Sequence, residues 1–234
     1  MNSEKINSST TAILLFTQSE EATSVLKPIN SSKKKNRLLW KKLNDRVLKT
    51  IQKTKLPYFV LKENNQVGAT FGKKITSCIQ EVFDKGFQKV IVVGNDCLAL
   101  NTNHLNNAIE QLQHNHCVLG ADFNGGAYLI GLTQSTFRSK EFQQAAWQTV
   151  TLFSSLQKLF NGQPIGYLPP LDDFNSIFDF KRVVYKLPYD GILRSLFLSF
   201  LIVPKIQILL TFNFIVHQFI SISFNKGSPL YLKS

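Results

Sequence analysis

The chain has 234 residues, enough for one large α/β domain or for a domain with an appendage. Hydrophobic residues make up 44% and charged residues 18%, which excludes an intrinsically disordered chain. The net charge of +12 either favours an anionic partner (nucleotide, phosphate, nucleic acid or acidic lipid) or marks a solvated basic surface.

The first predicted element is a strand at residues 12–16, AILLF, an unbroken apolar run. Residues 17–36 read as a polar connection ending in SSKKKNR, with Lys33–Lys35 as a solvated charge run. Leu39, Leu43, Val47, Leu48 and Ile51 recur at helical spacing. YFVL at 58–61 predicts a second strand after Pro57, followed by a loop at 63–72. Ile75, Cys78, Ile79, Val82 and Phe83 mark a second amphipathic helix, which Gly86 ends. Lys89–Val93 is the third strand, apolar enough to be buried on both faces.

Beyond it, Thr102 is a plausible N-cap for a third helix carrying Leu105, Ala108, Ile109 and Leu112. CVLG at 117–120 and AYLIGL at 127–132 predict strands, with the turn ADFNGG between them. Residues 141–160 predict one long helix through Phe142, Ala145, Ala146, Val150, Phe153 and Leu156. A short strand and a turn follow in GYLPPLDDFNSIFDF, with a helix starting at Asn175 or Ser176. Strands alternating with helices predict a three-layer α/β architecture: an open, mostly parallel sheet with helices on both faces. In such sheets ligands bind beyond the carboxyl ends of the strands.

That rule singles out VIVVGNDCLAL at 90–100, where Asn95 and Asp96 stand at the carboxyl end of the most hydrophobic strand. One carboxylate there suits Mg²⁺ or Mn²⁺, which are held by one or two carboxylates together with substrate phosphates. The competing reading is an Asp that caps the following turn.

Residues 94–132, GNDCLALNTNHLNNAIEQLQHNHCVLGADFNGGAYLIGL, resemble the central signature of a bacterial glycosyltransferase family of the selenodomain-associated transferase type. In that family a strand ends in Gly-Ser/Asn-Asp-Cys/Thr-Pro-x-Leu, and Leu-Gly-Pro-x-x-Asp-Gly-Gly-Tyr-Tyr-Leu-Ile-Gly-Leu comes about twenty residues later. An upstream block is matched by Gln66, Gly68, Phe71 and Gly72, and a downstream block by Asp173-Phe174-Asn175-Ser176 with Asp179 and Phe180. The resemblance covers residues 11–182 and implies a GT-A-like, nucleotide-diphospho-sugar transferase fold there, with 183–234 as a hydrophobic, basic C-terminal extension.

The resemblance implies a glycosyltransferase that moves a sugar from a nucleoside-diphosphate donor to an acceptor, assisted by Mg²⁺ or Mn²⁺. Gln66, Gly68, Asn95, Asp96, Asn124, Gly125 and Gly126 would then face the nucleotide or substrate, and Asp96 and Asp173 the metal. No residue is assigned as the catalytic group. For Gly125-Gly126 the alternative is a tight turn, and for Asp173 a helix cap.

The departures bear on competence. The family's Gly-containing, Lys/Arg-bearing loop after the first strand is replaced by FTQSEEATSVLKPINSSKKKN, which has no glycine. Asn124 stands where the family has Asp, Leu98 where it has Pro and Ala127 where it has Tyr; Asp122, two residues before Asn124, is a candidate substitute for that Asp, with its register against it. Two alternatives therefore stay open: a sugar nucleotidyltransferase-like enzyme and a catalytically inactive nucleotide-binding protein on the same fold.

Other chemistry is weakly represented. Cys78, Cys97 and Cys117 form no CxxC pair, which suits buried free thiols in a reducing compartment. Asp96 should raise the thiol pKa of Cys97, against an activated nucleophile. His104, His114 and His116 read as surface or helix-end residues. The lysines are not interleaved with an RNA-binding aromatic motif, so nucleic acid is disfavoured as a partner.

The N-terminal apolar run is too short for a signal peptide, and a cytoplasmic location is expected. Residues 192–224 carry only Arg194 and Lys205 as charges, although Gln207, Thr211, Asn213, His217 and Gln218 dilute the apolar run. Three readings of this tail compete: a membrane-surface anchor, a segment packed on the domain or a partner, and an extension not selected for a fold.

Overall fold

The strand sequences set the frame of the protein. In this computed structural model, which describes residues 10–201, β1 (Thr11–Phe16), β2 (Tyr58–Leu61) and β3 (Lys89–Val93) form within a residue of where their apolar runs lie. β4 (Cys117–Asp122), β5 (Ala127–Thr133) and β6 (Ile165–Leu171) complete a six-stranded sheet in the order β2-β1-β3-β5-β4-β6. β1 pairs in parallel with β2 and β3, and β4 in parallel with β6.

β5 departs from the parallel pattern and runs antiparallel to both β3 and β4. Only Phe123–Gly126 separate β4 from β5. So short a link permits a hairpin and forbids the crossover that parallel strands need. The sheet is therefore mixed, with helices on both sides.

Alternation along the strands divides the core in two. Ala12, Leu14, Val90 and Val92 face α3 (Phe71–Asp84), α5 (Ser139–Gln143) and α6 (Leu152–Leu159), packing with Ile75, Ile79, Phe83, Phe142 and Leu156. Ile13, Leu15, Ile91 and Val93 face the opposite way, toward Val47 and Ile51 of α2 (Lys33–Gln52) and Leu105 and Ala108 of α4 (Thr102–Gln111). The two periodicities, two for strands and 3.6 for helices, meet on each face of the sheet.

Three helical expectations change. Residues 17–36 hold α1 (Glu20–Leu26) and the first turn of α2. Ser19 caps α1 by accepting from the Ala22 amide at 3.2 Å, and Glu20 and Glu21 complement the helix dipole. Lys33–Lys35 lie inside α2, which starts behind Ser32 although a cationic first turn opposes the dipole. Asn36 secures that turn: its Oδ1 accepts from the Ile29 and Asn30 amides at 2.9 and 2.6 Å, and its Nδ2 donates to the Asn30 carbonyl at 2.6 Å.

The long helix expected at 141–160 is broken into α5 and α6. Between them Gln148 adopts φ 61°, and Trp147 turns inward against Phe71 and Phe142, donating its indole N–H to the Phe142 carbonyl at 2.8 Å. The N-cap of α4 is Asn101, one residue before Thr102, in a capping box completed by His104.

α7 (Ile177–Lys186) is capped by Ser176, which accepts from the Asp179 amide at 3.2 Å, so Asp173 is not the cap. α8 (Ile192–Leu201) buries Phe197 and Phe200. Trp40 stacks on Phe174 with centroids 5.3 Å apart, and edge contacts run on through Phe180 to Phe197. Among the described residues no helix is long and apolar enough to cross a membrane. The predicted behaviour of residues 202–234 lies outside the described residues.

Candidate functional site

Beyond the carboxyl ends of β1 and β3 lies a cleft of about 710 Å³. Its floor is the end of β3, where Val93 gives way to Gly94, Asn95 and Asp96. The side chain of Asp96 is 25% exposed, so its carboxylate opens on the cleft and is not sealed among amides.

Lys27, the C-cap of α1, reaches across to it. Its Nζ lies 2.9 Å from Asp96 Oδ2 and also donates to Asn175 Oδ1. Burial works to lower the pKa of this ammonium, but the charge and hydrogen bond of Asp96, aided by Asp173, leave it raised. The Lys27 carbonyl accepts from the Trp40 indole at 3.2 Å, so α2 fixes the base of the lysine while its tip enters the cleft.

Two more carboxylates join from other elements. Asp122 ends β4, and its Oδ1 accepts from the Asn124 and Gly126 amides at 2.7 and 2.8 Å, folding the 123–126 turn around itself. A Cβ on Gly126 would meet Asp122 Oδ2 at 2.2 Å, so this arrangement requires glycine there.

Asp173 follows β6, and its Oδ1 accepts from Asn124 Nδ2 at 2.9 Å. Burial pushes the Asp173 carboxyl up to about 7, and the charges of Asp96 and Asp122 push the same way; the Asn124 hydrogen bond works against them. The Phe174 amide donates to the Asp96 carbonyl at 3.2 Å, tying the Asp173 segment to the end of β3.

Of the residues singled out from the sequence, Gln66, Asn95, Asp96, Asn124, Gly126 and Asp173 line this one cleft. Both Nε2 hydrogens of Gln66 are spent on the Thr17 and Leu61 carbonyls, at 2.7 and 2.9 Å, so its amide nitrogen staples β1 to β2 at the cleft's edge. Asn95 donates to Asn44 Oδ1 at 2.7 Å.

Gly68 and Gly125 lie outside the lining. Gly68 packs against α3, where a Cβ would meet Lys73 Cβ at 2.7 Å. Gly125, at φ +87°, packs against the loop that interrupts the long helix: a Cβ there would stand 1.9 Å from the Val150 carbonyl oxygen. That loop also brings Trp147 and Val150 to the rim.

Lys27 reaches the cleft without having been singled out, Asn175 without having been given a site role, and Asp122 although its register had told against it. Their sequence signals were an Asp at the end of an apolar strand, an Asn within the downstream block, and a lone lysine after the first strand and helix.

The thiols behave as expected from burial. Cys97 is pushed up to about 12 by burial and then by Asp96, and Cys78 up to about 11 by burial.

Among the described residues no group of three His, Cys, Asp or Glu is placed to hold a metal ion by itself. Asp96 and Asp173 still fit a divalent cation of the oxygen-preferring kind, because such ions take one or two carboxylates and complete their shell from phosphates and water. Besides burial, the charges of Asp96 and Asp122 push the Asp173 carboxyl up, so the three carboxylates lie near enough to feel one another.

A bacterial family described as "Uncharacterized protein conserved in bacteria (DUF2064)" matches residues 43–149. No curated protein matches. The crystal structure of a "putative nucleotide-diphospho-sugar transferase" from Desulfovibrio desulfuricans G20 superposes with a TM-score of 0.70 at 19% identity, over 80% of this chain and 90% of that one. Rv0371c of Mycobacterium tuberculosis H37Rv, in a complex with manganese, gives a TM-score of 0.43 at 10% identity, over 76% of this chain and 99% of that one. The inositol-1-phosphate CTP transferase of T. maritima gives 0.38 at 12%, over 82% and 97%. The first of these similarities bears on the fold: the described domain has the nucleotide-diphospho-sugar transferase fold.

Proposed function

We propose that the protein is a transferase that binds a nucleoside-diphosphate sugar in this cleft and passes the sugar to an acceptor. The observation that carries the reading is the convergence of Asp96, Asp122 and Asp173 with the Lys27 ammonium at the carboxyl end of β3. A diphosphate leaving group needs its charge neutralised, and Lys27 is a cation already directed to that place. Asp96 and Asp173 would hold Mg²⁺ or Mn²⁺, which when bound would supply further neutralisation of the diphosphate. Asn124 orients Asp173 through its 2.9 Å hydrogen bond, and Asp122 shapes the turn that presents Asn124. Burial of Cys78, Cys97 and Cys117 as free thiols agrees with a cytoplasmic setting.

A second reading, a sugar nucleotidyltransferase, gains from Lys27. A chain without the glycine loop still brings a lysine from after the first strand into the cleft beside Asp96, where it would meet a phosphate.

Thermal stabilisation of the full chain by nucleotide sugars, with and without Mn²⁺, tests the first reading, because a ligand bound to the folded state raises the melting temperature. Metal-dependent stabilisation that disappears in Asp96→Ala is the expected result. Failure of every nucleotide sugar to shift the transition in the unmodified protein would remove the proposal. Pyrophosphate release from a nucleoside triphosphate and a sugar 1-phosphate would instead establish the second reading.

A further inference from the structure

The exposed face of α2 has no part in the cleft. This helix of 20 residues is about 30 Å long. Leu39, Leu43, Val47 and Ile51 turn inward, while Lys33, Lys34, Arg37, Lys41, Lys42 and Lys49 are exposed. Asp45 is the only carboxylate on α2, and Arg37 pairs with Glu21 of α1 at 2.5 Å. Among the described residues Lys33, Lys34, Lys41, Lys42 and Lys49 form no salt bridge. Leu38, 46% exposed, adds an apolar side chain to the cationic face.

A second observation indicates what this face meets. Asn30, two residues before the N-cap of α2, donates from Nδ2 to the Phe200 carbonyl at 2.7 Å. The end of α8 is thus tied to the cationic start of α2. Just beyond α8 the sequence enters residues 206–225, which contain no Asp, Glu, Lys or Arg. Clustered exposed lysines around an exposed leucine, in a chain whose sequence also carries an uncharged apolar segment, match the chemistry of an anionic bilayer surface. A nucleic-acid groove fits less well, because the exposed face of α2 offers no aromatic ring for stacking and a single arginine for paired contacts to phosphate.

We propose that the exposed face of α2 docks on an anionic lipid surface. The proposal does not depend on the reaction assigned to the cleft.

The test is sedimentation of the full chain with vesicles of phosphatidylcholine alone or with added phosphatidylglycerol. Binding is expected only to the anionic vesicles and should fall as salt is raised. A triple reversal on α2, Lys34→Glu with Lys41→Glu and Lys49→Glu, should weaken binding by about tenfold or more. The matched reversal of Lys140, Lys158 and Lys181, exposed on other elements, should keep it within about twofold. All six positions are exposed, so unchanged circular dichroism and melting temperature are the folding check. Equal loss in both triple variants, no loss in the α2 variant, or no binding by the unmodified chain would each overturn the proposal. So would an α2 variant that still binds vesicles but no longer binds a single-stranded RNA homopolymer.

Discussion

Lys27 and Asp96 are 69 residues apart in sequence, yet Lys27 Nζ stands 2.9 Å from Asp96 Oδ2. The pair bridges one end of the cleft: α1 delivers the lysine and the segment after β3 the carboxylate. With side chains 29% and 25% exposed, it adds little stability, since pairs open to solvent are worth about 1 kcal/mol or less.

Replacing Lys27 with Ala should therefore leave the melting temperature of the free protein within a few degrees, by the order of magnitude for such pairs. Affinity for a nucleoside diphosphate, measured by calorimetry, should fall by about tenfold or more. Undiminished affinity would remove Lys27 from phosphate binding.

Asp173 makes stability depend on pH in a stated direction. Its carboxyl is raised from 3.8 to about 7, so the folded state holds this proton more tightly than the unfolded state. The stabilisation is full below the ordinary value, declines as pH rises through the interval and is gone above about 7. Denaturant melts of the metal-free protein should show part of its stability lost between pH 4 and 7 through this group. In Asp173→Asn that part of the slope should vanish. The same slope in both proteins would show that Asp173 titrates normally.

Gly125→Ala should cost on the order of 2 kcal/mol. The residue has φ +87°, and the added methyl would stand 1.9 Å from the Val150 carbonyl oxygen. Urea denaturation measures the cost, and a loss below about 0.5 kcal/mol would show that the loop at Val150 moves aside freely.

Arg46 supports the site from behind. Its Nη1 donates to the Leu100 carbonyl at 3.1 Å and its Nη2 to the Leu98 carbonyl at 2.7 Å, pinning the turn that follows Asp96. Arg46→Met should destabilise the protein by about 1–3 kcal/mol, because two carbonyls lose their donor. It should also weaken Mn²⁺-dependent stabilisation by nucleotide sugars. Arg46→Lys should restore only part of either property, since an ammonium lacks the planar fork that serves both carbonyls. Full recovery with lysine would reduce the role of Arg46 to its charge.

Much of the fold can be read from residue patterns because strand and helix periods are local. LLF at the end of β1, YFVL and KVIVV each fill a strand whose neighbours are parallel or buried on both faces, and continuous apolar runs mark such strands. α3 shows its stripe from Ile75 to Phe83 because that face meets one side of one sheet. The helix expected across 141–160 fails for a non-local reason. Its apolar spacing is real, but the helix stops where Trp147 packs against Phe71 and Phe142 and Gln148 takes φ 61°. α1 was legible in principle from Ser19-Glu20-Glu21, whose capping and dipole signals were outweighed by the polar composition around them.

By itself the sequence determined the strands, the helix stripes and the placing of Asp96 at a strand end, because these follow from short-range periodicity and steric preference. Only the tertiary structure decided that β5 runs antiparallel, that Asp122 joins Asp96 and Asp173 in one cleft, and that Lys27 reaches them. Those outcomes depend on chain segments that meet far from one another in sequence. Like charges drawn together by the packing around them can be recognised only once the packing is known.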